Sequence, residues 1–180
     1  VYKRQARSIL ENNLYGLDID DRAFQLAYFA VMMKARQYNR RILNGEHKPN
    51  VYSIQESNGI DRNQLKFFGE GLSETEKKRA IEQMTGLLDT FKDAKEYGSI
   101  LTVDSYDWEL LGRFVSKGEM LGQMSMDTVG LEDTAEKLKQ LLAQGKVLAQ
   151  KYYATITNPP YIGVGNVGGR LYDFVCEQYE

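Results

Sequence analysis

Three consecutive stretches constrain the fold more than anything else in the chain: "NNLYGLDID" at 12–20, "DRAFQLAYFAVMMKARQYNRR" at 21–41 and "NVYSI" at 50–54. The first is a short apolar run ending in acids, the pattern of a buried strand in a parallel sheet. The second lacks Gly and Pro, opens on acids and closes on Arg36, Arg40 and Arg41, the polarity that a helix dipole favours. Its apolar positions, among them Phe24, Leu26, Ala30, Val31 and Met33, cover much of the circumference. Such a helix is expected to lie largely buried against a sheet. The third stretch reads as another strand, so 12–54 form a strand–helix–strand unit with a right-handed crossover. The first five residues, "VYKRQ", read as an appended scar and are set apart from the fold.

From 62 to 150 the pattern becomes helical. Ser73 followed by Glu76 has capping-box spacing, and Ile81, Met84, Leu87, Leu88, Phe91 and Ala94 recur at helical intervals until Gly98 stops the run. Further helices are predicted around "SYDWELLGRFV" and "DTAEKLKQLLAQGKVLAQ", with the methionines of "EMLGQMSM" between them filling core. "YYATIT", rich in β-branched and aromatic residues, reads as a third strand. The plan is thus α/β: 1–61 as the first part of a core, 62–150 as a helical insertion and 151–180 as a returning strand and loop. So long an insertion between two strands of one sheet is unusual and therefore diagnostic.

Charge and composition exclude several functions. A net charge of −2 offers no basic footprint for nucleic acid across the chain as a whole. One cysteine, Cys176, allows no intrachain disulfide and suits a reducing, cytoplasmic setting; one histidine, His47, in the polar "NGEHKPN", reads as a solvated loop residue. A His/Cys zinc site is ruled out, so no metal is expected. No apolar run reaches the roughly 18 residues of a membrane span, and no membrane partner is expected.

Two strand ends carry chemistry. In open parallel sheets ligands gather at the carboxyl ends of strands. Asp18 ends the first strand, where its carboxylate can accept from both hydroxyls of a ribose, and Ile19 can offer an apolar face to an adenine. Asp20 and Asp21 are placed to cap the following helix, and helix capping alone also accounts for all three acids. The second end is "TITNPPYIG". Two prolines stop any hydrogen-bond ladder and stiffen the loop, so that the Asn158 side-chain oxygen and the Pro159 carbonyl can point the same way. Two such acceptors suit a planar amino group. Held by both hydrogens, its nitrogen keeps the lone pair out of ring conjugation and becomes more nucleophilic. Tyr161 supplies a stacking face. A plain turn with a packed aromatic is the alternative reading of 158–161.

Taken together, these stretches resemble the S-adenosylmethionine-dependent amino-methyltransferases. The longer matches "NNLYGLDIDDRAFQLAYFAVMMKAR", "NVYSIQESNGID", "LLDTFKDAKEYGSI" and "TITNPPYIG" narrow this further. They are similar to the large adenine-specific DNA methyltransferases of BREX phage-defence systems (PglX-like) and of type IIG restriction–modification enzymes. The resemblance runs from about residue 9 to the end. It implies a partial Rossmann-like methyltransferase fold, its first strand missing, and transfer of a methyl group from S-adenosyl-L-methionine to N6 of adenine in DNA. It implies that Asp18 binds the cofactor ribose and that Ile19 flanks the adenine, with Asn58, or less readily Asp61, also near that adenine. Asn158 and Pro159 would hold the amino group of a flipped base, Pro160 would stiffen the loop and Tyr161 would stack.

The family's glycine-rich cofactor loop does not occur in this chain, and "GVGNVGGR", which follows the NPPY motif instead, resembles the family's segment expected to order around DNA. The 180 residues alone are therefore expected to bind the cofactor poorly and not to methylate. DNA would be bound through a recognition domain elsewhere in the full-length protein, with other defence-system subunits as possible partners. Two alternatives stand beside this reading: methylation of protein glutamine or RNA guanine, and a non-catalytic helical interaction module.

Overall fold

The computed structural model describes residues 2–116, 130–157 and 169–178. Helix α1 (Tyr2–Asn12) leads into strand β1 (Tyr15–Asp18), helix α2 (Asp21–Tyr38) and strand β2 (Asn50–Ser53). Helices α3 (Glu74–Thr90), α4 (Ala94–Tyr97), α5 (Trp108–Ser116), α6 (Leu131–Ala149) and α7 (Gly169–Gln178) come next, with short 3-10 turns at Arg62–Phe67 and Gly98–Ile100. This is an α/β arrangement. The two strands are parallel, with Tyr15 opposite Asn50 and Asp18 opposite Ser53, so both carboxyl ends emerge side by side. The Ile54 amide donates to the Asp18 carbonyl at 2.8 Å and extends the ladder one step past β2.

The main core lies among the helices rather than under the sheet. Met84, Leu87, Phe91, Leu111, Phe114 and Leu138 are fully buried there, and Ile54 and Leu17 join the sheet to it. Burial on this scale supplies most of the stability of such a body. A smaller cluster of Leu10, Met32, Ala35 and Ile42 ties α1 to α2. Ser73 and Glu76 form the expected capping box at the start of α3. With the Ser73 amide and hydroxyl and the Arg113 guanidinium against it, the Glu76 carboxyl falls to about 2.

Several expectations are corrected. Residues 2–5, set apart from the fold above, open helix α1 and so belong to it. Helix α2 is not largely buried: Met32 and Ala35 are, whereas Leu26 is 69% and Phe29 61% exposed. The reason is length. Eighteen helical residues span about 27 Å, twice the roughly 13 Å of a four-residue strand, so two such strands cover one strip of the helix. His47 is not solvated; its Nδ1 lies 2.7 Å from Glu11 Oε1, with its side chain 11% exposed. The helix expected through Gly98 ends at Thr90, because Asp93 adopts a left-handed conformation (φ 54°) before α4 begins.

The expected strand at "YYATIT" does not form: 151–157 contain no strand, and among the described residues no backbone hydrogen bond joins them to β1 or β2. Ile156 is 98% exposed. β-Propensity acts only where a neighbouring strand supplies a ladder and a packed face. Tyr152 packs instead, its hydroxyl donating to the Val147 carbonyl at 2.7 Å and its ring edge-on to Tyr15 at 5.3 Å. The methionine cluster at 119–126 lies outside the described residues.

Candidate functional site at the strand tips

The carboxyl ends of β1 and β2 gather the sequence's chemistry, because the parallel register sets Asp18 beside Ser53. Asp18 Oδ1 accepts from the Asp20 amide at 2.8 Å, which turns the chain sharply from strand into helix. Among the described residues, its second carboxylate oxygen has no hydrogen-bond partner. Ile19, at the turn, is 51% exposed and leaves an apolar face on the surface. Asp20 is the N-cap of α2, its Oδ1 accepting from the amides of Arg22 (2.6 Å) and Ala23 (3.0 Å). Those amides hold its carboxyl below the usual range, the Ala23 bond most strongly.

Asp21 does not cap. It crosses to β2, accepting the Ser53 hydroxyl, Gln55 Nε2 at 3.3 Å and Lys95 Nζ at 3.2 Å. The Ser53 bond first, then Lys95, lowers its carboxyl as well, so both aspartates are ionised at neutral pH. The Glu56 carboxylate accepts from the Lys95 amide at 3.2 Å. Asn58 stands further out: its Nδ2 donates to Asp93 Oδ1 at 2.6 Å, and its Oδ1 accepts from the Asp93 amide at 2.9 Å. Asp61 caps the following 3-10 turn through the Asn63 amide at 2.9 Å.

The structure therefore brings Asp18 and Ile19 together at the tips and sets Asn58 to one side, holding a loop. Asn158, Pro159, Pro160 and Tyr161 lie outside the described residues. Gln55 and Glu56, passed over in the sequence, stand nearer the tips than Asn58. Their position directly after the apolar Val51–Ile54 run was the available signal. Lys95 had none, since only folding brings it 74 residues back to Asp21.

The chemistry of the site is that of acceptors. Four carboxylates, Asp18, Asp20, Asp21 and Glu56, lie along these strand ends, with the Lys95 ammonium paired, among the described residues, to Asp21 alone, so a ligand rich in hydroxyl donors or carrying positive charge fits, whereas a phosphate is repelled. The Asp18 oxygen and the exposed Ile19 suit a sugar diol with a flat apolar ring beside it. A groove of about 510 Å³ opens at the other end of the sheet, beside Tyr15 and Asn50, away from these acids. Among the described residues no cluster of His, Cys, Asp and Glu is arranged to hold a metal ion, and no helix is long and apolar enough to cross a membrane.

Comparison with known proteins adds matches over most of the chain. The model of the Eco57I restriction-modification methylase family matches residues 12–180. The chain is 36% identical over 181 residues to the adenine-specific methyltransferase PglX of Lacticaseibacillus casei (strain Zhang), covering 98% of this chain and 14% of that one. It is 35% identical over 188 residues to the adenine-specific methyltransferase BrxX of Escherichia coli O9:H4 (strain HS), covering 95% of this chain and 15% of that one. The chain thus spans about one-seventh of the length of these curated relatives.

Proposed function

Because the chain belongs to the Eco57I restriction-modification methylase family, we propose that it forms part of the catalytic domain of an adenine-N6 DNA methyltransferase serving a restriction or phage-defence system. The observation that carries this is the match over 12–180, joined to relatives whose names specify adenine as the target. In this reading β1, α2 and β2 are part of a Rossmann-like core, and the helices of 62–150 are inserted into it. DNA is the substrate, engaged through parts of the full-length protein beyond this chain.

Each site residue has a distinct task. Asp18 accepts from the cofactor's ribose hydroxyls, and Ile19 lies against its adenine. S-Adenosyl-L-methionine, when bound there, supplies an electrophilic methyl carbon on a positively charged sulfur. Asn158 and Pro159 accept both N6 hydrogens of an adenine swung out of the duplex, Pro160 keeps the two acceptors rigid and Tyr161 stacks on the base. Held so, the N6 lone pair would take up the methyl group that the cofactor would supply, its S–C electrons retained on sulfur, and the surplus proton on nitrogen would pass to water. No covalent enzyme intermediate is required. Catalysis is positioning and acceptor electrostatics.

The test is Asn158→Ala in the intact protein that carries this chain, assayed for labelled methyl transfer to unmethylated plasmid. Loss of one acceptor should slow the reaction by about 100- to 1000-fold, as for other preorganised polar groups. An unchanged rate would refute the assignment. Transfer to a release-factor peptide or to ribosomal RNA, with none to DNA, would favour the alternative substrates.

A further inference from the structure

Building on the reading that Asp18 and Ile19 receive the cofactor, we propose that the 91–98 loop forms the second wall of that site. Asn58 then serves as a positioning residue that fixes the loop, not as a contact to the cofactor. The argument begins at Asp93. Among the described residues it alone, apart from glycines, has positive φ (54°), a conformation L residues seldom adopt. Asn58 matches it from both sides, accepting from its amide at 2.9 Å and donating to its carboxylate at 2.6 Å. That pair of bonds interrupts a helix whose apolar spacing continues to Ala94.

The segment beyond this kink depends on it. α4 begins at Ala94, and the Lys95 amide and ammonium reach Glu56 and Asp21, each at 3.2 Å. Gly98, at φ +60°, then arrives so close that a Cβ there would lie 3.3 Å from Ile19 Cγ2. The chain of dependence runs from Asn58 through Asp93 and α4 to Gly98 and so to the face of Ile19. The ion pair of Lys95 and Asp21 is solvent-exposed and contributes little by itself; fully buried Phe91 and Ala94 and the Ser57 amide on the Phe91 carbonyl anchor the base of the segment, and the Asn58 clamp fixes its kink.

In the intact protein, Asn58→Ala should raise the KM for S-adenosylmethionine about tenfold, with kcat at saturating cofactor changed by less than about twofold. Adding Asp93→Gly should bring KM back to within about threefold of wild type, because glycine takes the left-handed conformation without a lock. A direct contact from Asn58 to the cofactor could not be restored in this way. Gly98→Ala, strained and pressing on Ile19, should raise KM as well.

Hydrogen exchange at the Asp93 and Lys95 amides separates the clamp from the catalytic reading. Faster exchange at the Lys95 amide in Asn58→Ala, reversed by Asp93→Gly, supports the clamp, whereas the residue-93 amide, which loses its Asn58 acceptor in both variants, should exchange fast in both. The same result together with a wild type that transfers no methyl to DNA overturns the catalytic role and, with it, the wall. Unchanged exchange and KM in Asn58→Ala, or a double variant as impaired as the single one, overturns the proposal.

Discussion

Replacing Asp18 tests the cofactor assignment through a difference between two substitutions. Its carboxylate Oδ1 holds the Asp20 amide at 2.8 Å, and the other oxygen has no hydrogen-bond partner among the described residues. Asp18→Asn keeps an oxygen for the Asp20 amide, so the strand-to-helix turn survives, but it removes the charge. A hydrogen bond to a charged acceptor contributes about 1.5–3 kcal/mol, against about 0.5–1.5 for a neutral one, so the loss is about 1–1.5 kcal/mol. That corresponds to a KM for S-adenosylmethionine raised roughly 5- to 10-fold. Asp18→Ala removes the whole acceptor and the turn with it, and should raise KM roughly 10- to 150-fold. Steady-state methyl transfer by the intact protein, with cofactor varied at saturating DNA, gives both values. Equal and small effects, each within about twofold of wild type, would refute the ribose assignment, as would a defect confined to kcat.

Two further predictions concern the scaffold. Phe114 is fully buried, its ring 5.9 Å from that of Phe68 and its carbonyl accepting from the Gly69 amide at 3.0 Å. Phe114→Ala should therefore cost about 3–5 kcal/mol in a urea titration, and a loss below about 1 kcal/mol would contradict the packing described. Glu76 gives a pH signature: folding lowers its carboxyl from 4.5 to about 2, so between those values the folded chain binds fewer protons than the unfolded one. Its contribution is complete above about pH 4.5 and disappears as pH falls towards about 2. Stability curves of wild type and Glu76→Gln should converge through that window; curves that stay parallel would count against the capping box as the cause.

By itself the sequence determined the local elements and the chemistry of their ends. Acids at the front of α2, Arg36 in its last turn, the Ser73 and Glu76 box and the apolar spacing of α3 are short-range signals, written within a turn or two of the helix they specify. Asp18 at a strand tip was legible for the same reason: a strand that ends in a carboxylate before a helix can place it in few ways. Only the tertiary structure decided the rest. "YYATIT" has the residues of a strand, but strands are made by neighbours, and those residues pair with neither β1 nor β2. Asn58 has the residue type and position of a ligand contact, yet its amide is taken by Asp93, 35 residues away. Asp21 has the position of a second cap, but folding brings Ser53 and Lys95 to it instead. The division comes from range: periodicity and capping act between adjacent residues, whereas pairing and side-chain partnership depend on which distant segments the fold brings within 3 Å or so of one another.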